Sequence, residues 1–558
     1  MNCMEKGGLR RALQVTAAER IVSCCPIMIG EILIACLSLL ILWYIWFQKA
    51  TSYWTEHGVY QIQPSFPLGN FGFFFDKSLS INDWMRGHSE ETRGLKYFGV
   101  YFAHFPILVI RDVDLVKQIM VKDFHGIFEN RDNTAVMFFG KSKVKADIIN
   151  RKQLLNAQGE EWKSLRSTFS PLFTAGKMKM MIPLIQETCE KLITALHSKT
   201  AEEFELKEML GKYSMDTIAS CAFGVDAQSF QSKDSQFVKH ANNFFKFSAA
   251  EALKFFVGIL PFGPAIMNYL DIPFSKVEET EFFYNVVKDT LKQRKTSKNK
   301  RNDLVDMMLD AINGKITNDK DDQDDKSQFD KDSEIVFKAK DGQMDDVSIA
   351  ATAMVFMIAG YDTTGSALSF ACYQLSKNPE VQEKLRREID DVMGDGEDDK
   401  DLTYSDIQNM EYLEAVICET LRFHMIIAVL QRVANTEYKV PGTDLILPRG
   451  TQLEFDVPAI HFDPEHYANA ENFDPEHFSK EAKAKRHPYA FLAFGHGPRS
   501  CIGMRFALVE AKMALARIVK EFIILPSNKT QEPLKDDPQN AISYPQDGLY
   551  VRVEKRQE

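Results

Sequence analysis

The sequence lacks the features that mark several large classes of protein. It has no internal repeat with a period of about 20–50 residues, which argues against a solenoid or a propeller. It has no basic surplus, because 67 Lys and Arg residues face 78 Asp and Glu residues, for a net charge of −11. Its nine cysteines are scattered and contain no C-x-x-C pair. We therefore expect no nucleic-acid binding, no zinc finger and no small disulfide scaffold.

The composition is that of a packed globular protein, with 45% hydrophobic and 26% charged residues over 558 positions. We expect one large domain or two closely fused domains. The acidic charge is concentrated, since residues 319–346 hold 11 acidic residues and 5 lysines. We predict that residues 316–346 form a solvated acidic loop within the catalytic domain. Scattered cysteines, odd in number, favour a reducing compartment that faces the cytosol.

One long apolar run lies near the N-terminus, at residues 27–47. A helix of this length measures roughly 32 Å and is long enough to cross a bilayer. We predict an N-terminal extension (1–26), a transmembrane anchor (27–47), a linker (48–70) and a catalytic domain (71–558). A buried helix and a cleaved signal peptide remain alternatives. The flanking charges do not favour a cytosolic C-terminal side, because only Lys49 closely follows the run and four basic residues precede it: Lys6, Arg10, Arg11 and Arg20.

The remaining pattern predicts a mainly α protein with smaller β-sheets. Apolar residues recur every three or four positions through residues 112–311, whereas residues 95–110 are typical of a hairpin. A long helix is expected over 347–375, interrupted at the glycine and threonine cluster 359–364. The phenylalanine-rich stretch 244–262 is either ordinary core or an apolar surface that dips into the membrane.

The most informative segment is FGHGPRSCIG, at positions 494–503. A glycine-rich loop without bulky side chains lets the backbone approach a flat macrocycle, and its amides can hydrogen-bond a cysteine sulfur. The N-terminus of the helix that follows the loop is expected to lower the pKa of a nearby thiol. Six residues fit the pattern F-G-x-G-x-R-x-C-x-G: Phe494, Gly495, Gly497, Arg499, Cys501 and Gly503.

With this loop the chain resembles the cytochromes P450, which are haem-thiolate monooxygenases, and most resembles the group of vertebrate family 3A and insect families 6 and 9. The likeness covers about residues 60–555 and is greatest at 162–179, 356–370 and 497–508. It implies a cytochrome P450 fold with an N-terminal transmembrane helix. It also implies that Cys501 is the axial thiolate ligand of haem b, with O2 and NADPH as co-substrates.

The resemblance carries further residues with it. Trp162 and Arg166 are similar to a pair that bonds a haem propionate, and Arg499 resembles a second propionate partner. Glu419 and Arg422, spaced i to i+3 on one helix, resemble a structural lock rather than a catalytic pair.

The cluster at 359–364 resembles the oxygen-binding kink of the family. By this likeness Ala359 and Gly360 leave room above the iron, and the Thr363 hydroxyl contacts bound dioxygen. Asp362 is then the acid that relays protons, which suits a reaction that consumes them.

Three positions depart from the family pattern. A proline is replaced by Met425, an arginine expected to help hold a propionate appears as Val429, and the arginine of a P-E-R-F motif is His477, which can still donate a hydrogen bond. Two other function classes stay open beside the monooxygenase. One is a haem-thiolate isomerase or dehydratase, and the other is a non-catalytic haem-binding membrane protein.

The resemblance also implies partners and a location. The expected partners are NADPH-cytochrome P450 reductase, cytochrome b5 as a second donor, the lipid bilayer and an apolar small-molecule substrate. The pocket segments by resemblance are 132–150, 351–364, 425–432 and 541–548. We expect the endoplasmic reticulum membrane with a cytosolic catalytic domain, with a mitochondrial membrane as the alternative. A docking surface for an acidic electron donor is expected from nine basic residues: Lys480, Lys483, Lys485, Arg486, Arg499, Arg505, Lys512, Arg517 and Lys520.

Overall fold

A computed structural model describes most of the chain. The described residues are 30–73, 79–131, 139–231, 235–260, 262–297, 301, 303–312, 345–394 and 401–556. The predicted extension 1–26 lies outside these residues, as do the start of the predicted anchor and nearly all of the predicted acidic loop 316–346. The chain divides into two compact units, the first made of residues up to Gly72 together with Gly99–Pro106 and the second of the rest.

The first unit contains an apolar helix, α1 (Gly30–Glu56), whose most apolar window is only 6% buried within the protein. This length and exposure match the predicted membrane anchor. Near the end of the apolar part, Trp43, Tyr44 and Phe47 pack edge-on against Phe66. Farther along, Trp54 is fully buried, and its backbone N–H donates to the Tyr101 hydroxyl at 2.9 Å.

The other helices belong to the second unit. They are α2 (Ile81–Gly87), α3 (Val113–Lys117), α4 (Phe124–Ile127), α5 (Lys145–Lys152), α6 (Gly159–Phe169), α7 (Ala175–His197), α8 (Leu206–Ile218), α9 (Gln236–Phe245), α10 (Ala249–Ile259), α11 (Gly263–Tyr269), α12 (Val277–Thr296), α13 (Leu304–Ile312), α14 (Asp346–Lys377), α15 (Pro379–Met393), α16 (Tyr404–Asn409), α17 (Glu411–Phe423), α18 (Val457–His461), α19 (Lys480–Lys485) and α20 (Met504–Glu521). Two π-helical turns, at Gln118–Lys122 and Ala219–Phe223, extend α3 and α8.

The strands are few and short, which confirms the predicted mainly α fold with smaller sheets. They are β1 (Tyr97–Phe102), β2 (Phe105–Ile110), β3 (Glu203–Glu205), β4 (Val429–Val433), β5 (Tyr438–Lys439), β6 (Ile446–Leu447), β7 (Gln452–Asp456), β8 (Phe522–Pro526) and β9 (Tyr550–Lys555). A turn at Ala103–His104 joins β1 to β2, as the hairpin prediction requires. In the second unit, β7 pairs in parallel with β2 and antiparallel with β4, while β9 lies between β3 and β8.

The second unit is built around α14. This helix is as apolar as a membrane span, but 67% of its apolar window is buried, so it is a core helix. It packs against α5, α8, α12, α17 and α20. Its closest approach is to α8, because a Cβ added at Gly365 would lie 3.1 Å from the Gly211 Cα. The predicted interruption at 359–364 is wrong, since the helix is continuous from Asp346 to Lys377 and tertiary packing overrides local propensity.

A buried ion pair on α17 joins that helix to the segment before the cysteine loop. The Glu419 carboxylate accepts two hydrogen bonds from Arg422, each of 2.7 Å, and both side chains are fully buried. Arg422 also donates to the His461 carbonyl, and the Glu419 carboxylate accepts the Asp474 backbone N–H. These contacts agree with the structural-lock interpretation of this pair.

His477 completes this lock in place of the family arginine. Its two ring nitrogens lie 3.1 Å from the Glu419 carboxylate and 2.6 Å from the Ala468 carbonyl. Burial acts to lower the pKa of His477, but the hydrogen bond and the charge of Glu419 outweigh it and raise the pKa. The histidine therefore keeps both contacts that a cationic donor would make at this position.

We predict that Glu419→Gln lowers the free energy of unfolding by about 3–5 kcal/mol, because it leaves the buried Arg422 guanidinium without its counter-charge. The midpoint of urea unfolding measures this loss. Glu90→Gln is the matched control, since Glu90 and Arg93 form an exposed i to i+3 pair. A loss as small as that of the control would contradict the structural role of the pair.

Candidate functional site

The loop 494–503 is held by its own backbone hydrogen bonds. The Gly495 N–H donates to the Leu492 carbonyl at 2.9 Å, and the Cys501 N–H donates to the Phe494 carbonyl at 2.8 Å. Gly495 and Gly497 have positive φ of 67° and 72°, a region that residues with a Cβ rarely occupy. The glycines therefore let the loop fold back, so that Cys501 lies beside Phe494 at the start of α20.

The glycines of this loop serve different purposes. A Cβ added at Gly497 would lie 2.0 Å from the Met120 carbonyl oxygen, so this glycine permits close packing against the π-helical turn. A Cβ added at Gly503 would meet nothing within 4 Å. The predicted approach of the backbone to a flat ligand is thus compatible with Gly503, whereas at Gly497 the close neighbour is the protein itself.

The Cys501 thiol lies deep in the protein and yet has accessible surface. Burial raises its pKa, while the Gly503 backbone N–H and the positive charge of Arg166 act to lower it, and the net shift is upward. Burial therefore outweighs the expected lowering by the N-terminus of α20. Haem iron bound at the sulfur would favour the thiolate.

Two buried guanidinium groups flank the loop. Arg166, on α6, donates from Nη1 to the Ser500 carbonyl at 2.9 Å, one residue before Cys501. Arg432, on β4, donates to the Gln431 and His496 carbonyls, and its buried Nε has no hydrogen-bond partner. Burial lowers the pKa of Arg166 to about 10 and that of Arg432 to about 9. Neither guanidinium forms an ion pair with a carboxylate of the described residues, which is a costly arrangement unless an anionic ligand completes it.

Arg499 and Trp162, two predicted site residues, lie against each other. The Arg499 guanidinium stacks 4.2 Å above the centre of the Trp162 ring. It donates at 2.9 Å to the Glu129 carbonyl and at 2.8 Å to the Ala157 carbonyl. These bonds connect the cysteine loop to the backbone at Glu129 and at Ala157. A propionate contact by Arg499 stays a prediction.

Asp362 and Thr363 lie in the middle of α14. The Thr363 hydroxyl donates to the Ala359 carbonyl at 2.7 Å, within the same helix. The buried Asp362 carboxylate forms an ion pair of 2.6 Å with Lys207 of α8. The Lys207 ammonium in turn lies 4.5 Å above the centre of the Tyr544 ring. Lys207 thus adds a cation to the acid–alcohol pair that the sequence pattern predicts.

Accessible residues interrupt segments that are otherwise buried. Ala359 is exposed although its neighbours on α14 are mostly buried, and Ile427 is 39% exposed beside the buried Ile426 and Ala428. Together with the accessible Cys501, they are typical of the lining of an internal cavity. The side chains of Ala359 and Ile427 are apolar.

The sequence is similar to one protein family over most of its length. The Cytochrome P450 family model matches residues 69–553. The chain belongs to the cytochrome P450 family. It is 32% identical to cytochrome P450 6k1 of Blattella germanica over 92% of this chain and 94% of that protein. It is 34% identical to cytochrome P450 3A9 of Rattus norvegicus and 33% identical to cytochrome P450 3A5 of Homo sapiens, each over 83% of this chain and 85% of the relative.

The protein is therefore a cytochrome P450 monooxygenase, and its residues fit the haem that this family binds. Cys501 offers the single soft sulfur ligand that haem-thiolate iron requires. Arg166 and Arg432 offer two buried cations, which suit the two carboxylates of haem b. Both guanidinium groups have the charge opposite to that of a haem carboxylate. The Arg432 Nε, which has no hydrogen-bond partner, also offers a free donor to such a carboxylate.

The structure brings forward two residues that the sequence patterns did not indicate. Arg432 lies three positions after Val429, so this segment has an arginine even though one expected position lacks it. Lys207 belongs to a different helix from Asp362, and their pairing is visible only in three dimensions. For Arg432 the sequence shows only an arginine in a short strand-like segment. Its burial, which is rare for an arginine without a partner, is visible only in the structure.

We predict that Arg432→Met accelerates the loss of haem by about tenfold or more, the size expected when a charge-assisted hydrogen bond to a ligand is removed. Transfer of haem to an excess of apomyoglobin measures this rate. Arg449→Met is the control, because Arg449 is exposed. Equal rates in the two variants would mean that the Arg432 guanidinium does not hold the cofactor.

Proposed function

We propose that the protein is a membrane-bound monooxygenase that oxidises apolar small molecules, such as xenobiotics, steroids or lipids, with Cys501 as the haem ligand. The observation that carries this proposal is the Cys501 thiol beside the Gly503 amide and the Arg166 guanidinium, with Arg432 of β4 donating to the loop at His496 and its Nε without a hydrogen-bond partner. The accessible apolar side chains of Ala359 and Ile427 support an apolar substrate.

The protein groups around the cofactor have separable tasks. Bound haem supplies the activation of O2 with electrons from NADPH, so that one oxygen atom enters the substrate and the other leaves as water. Arg166 and the Gly503 amide stabilise negative charge on the Cys501 sulfur. Arg166 and Arg432 hold the carboxylates of the cofactor.

Proton supply is the task of Asp362 and Thr363 in this proposal. The reaction consumes protons, and a carboxyl beside a hydroxyl can pass them inward. The Asp362 carboxylate forms a 2.6 Å ion pair with Lys207. This pair must loosen before the carboxylate can pass a proton to the Thr363 hydroxyl, so Lys207 positions Asp362 in the relay.

We predict that Thr363→Ala and Asp362→Asn retain haem and consume NADPH, but lower the ratio of product formed to NADPH oxidised. Product formation should fall by about 10²-fold, the low end for one positioned proton donor, since water partly substitutes. Thr364→Ala, the adjacent buried threonine, is the control. If the ratio is unchanged in both variants, the proton-relay interpretation is wrong and the isomerase class regains support.

The reductase-binding surface is smaller than the nine basic residues suggest. The Lys512 side chain is 1% exposed and its ammonium pairs with Glu414 at 2.8 Å, while Lys520 is buried against Asp390. The expectation that Lys512 belongs to a docking surface is therefore wrong, because helix packing turns it inward. The exposed lysines of this region lie on α19: Lys480, Lys483 and Lys485.

We propose that α19 contributes to docking of NADPH-cytochrome P450 reductase, with cytochrome b5 as a second donor. Eight residues, 486–493, separate the helix from the cysteine loop. Lys480 and Lys483 pair with Glu411 and Glu414 at its surface, and Lys485 adds a third exposed ammonium group that can attract an acidic partner. Residues 488–490, which follow α19, pack against α3, where Lys117 lies near Tyr489.

We predict that Lys483→Glu with Lys485→Glu slows reduction by the reductase and flattens its dependence on salt. Turnover supported by peroxide should stay near the wild-type rate, because peroxide needs no electron donor. Lys288→Glu with Lys292→Glu, two exposed lysines on α12, is the control for net charge. Equal losses with reductase and with peroxide would indicate damage to the haem site instead.

Membrane association is proposed through two elements. The apolar helix α1 supports an anchor in the endoplasmic reticulum membrane, with the second unit in the cytosol. Part of the stretch 244–262 and the residues after it support a second contact, because large apolar side chains of α10 and α11 are exposed. They include Leu253, Phe262, Ile266 and Tyr269.

A further inference from the structure

A pocket of about 730 Å³ lies where α9, α10 and α12 meet. Its lining comes from the end of α9, the first turns of α10 and the first turn of α12, together with Gln539. The connection between α9 and α10 is fixed, because the Phe247 N–H donates to the Gln539 carbonyl at 2.6 Å. The pocket lining shares no residue with the cysteine loop 494–503.

The pocket carries equal numbers of opposite charges. Three lysines and three glutamates line it: Lys246, Lys254, Lys276, Glu251, Glu278 and Glu279. One of each is already engaged, since Lys276 donates to the Asn243 and Lys246 carbonyls and Glu251 accepts the Ser248 N–H at the start of α10. Burial lowers the pKa of Lys276, as expected for an ammonium held by backbone carbonyls.

The other four charges are not paired with one another. Within the described residues no ion pair joins Lys246 or Lys254 to Glu278 or Glu279, although all four line the same pocket. Lys246 and Glu278 are exposed, and Lys254 and Glu279 are half-buried. The two ammonium groups can bind a negative group of a ligand, and the two carboxylates can bind a positive group of the same ligand. A ligand with a single charge would pair with only the lysines or only the glutamates.

An exposed apolar surface continues from the pocket. The chain leaves the pocket lining at Lys254 and returns to it at Ser275. Between these points α10, α11 and the turn before α11 expose large apolar side chains, with Phe262 of the turn at 81% and Tyr269 at 86%. Val277, which lines the pocket, is also exposed. A ligand in this pocket would have its charged part among the lysines and glutamates and its apolar part along α10 and α11.

We propose that this pocket binds the headgroup of a zwitterionic phospholipid, with the phosphate at Lys246 and Lys254 and the ammonium group at Glu278 and Glu279. The acyl chains lie against the exposed surface of α10 and α11. The inference rests on the proposed contact of this surface with the membrane, and it adds which lipid the surface selects. An anionic lipid without an ammonium group would leave both glutamates unpaired and repelled.

The test is a titration of the full-length, haem-loaded protein in mild detergent with phosphatidylcholine, followed by native mass spectrometry. Phosphatidylglycerol, which has the phosphate without the cation, and uncharged diacylglycerol are the comparison lipids. The wild type should retain phosphatidylcholine about tenfold better than either, the size expected for two charged contacts near a membrane surface. Lys246→Glu with Lys254→Glu should remove that preference.

Reversing the charge of the two glutamates should change the lipid preference in the opposite direction. Glu278→Lys with Glu279→Lys should shift the preference toward phosphatidylglycerol, whereas Lys288→Glu with Lys292→Glu on the exposed side of α12 should leave it unchanged. A wild type that retains the three lipids equally, or control and pocket variants that behave alike, would overturn the inference. The reduced carbon monoxide spectrum of each variant shows separately whether the haem site is intact, so this result does not depend on catalysis.

Discussion

Two buried guanidinium groups without carboxylate partners in the described residues impose the strongest physical constraint on this protein. Arg166 and Arg432 approach the cysteine loop from α6 and β4, and burial depresses the pKa of both. Leaving a charge buried and unpaired costs several kcal/mol, so the arrangement suits a protein that folds around a dianionic cofactor. The positive charge of Arg166 also acts to lower the pKa of the Cys501 thiol, against the larger upward effect of burial.

The rest of the second unit keeps these groups in place. The loop hydrogen bonds from Cys501 to Phe494 fix the sulfur, and Arg499 ties the same loop to residues 129 and 157. The Glu419–Arg422 pair, extended by His477, holds the chain that leads into the loop. The Arg422 guanidinium is thus neutralised by Glu419, whereas Arg166 and Arg432 have no carboxylate partner among the described residues.

Sequence reasoning succeeded where the determinants are local. The loop motif, the i to i+3 spacing of Glu419 and Arg422 and the apolar runs indicated the fold, the ion pair on α17 and the apolar N-terminal helix. It failed where a partner comes from a distant segment, as with Lys207 at Asp362 and with Lys512, which packs inward against Glu414. The glycine and threonine cluster also misled, since packing against α8 keeps α14 continuous despite poor local propensity.

The assignment of Cys501 as the haem ligand is the central claim, and the reduced carbon monoxide difference spectrum of the purified full-length protein tests it most directly. The wild type and Cys418→Ser, a variant at another buried cysteine, should both give the band that is specific to thiolate ligation. Cys501→Ser should lose that band, because a neutral hydroxyl cannot supply the same charge to iron. A thiolate band that persists in Cys501→Ser would contradict the account.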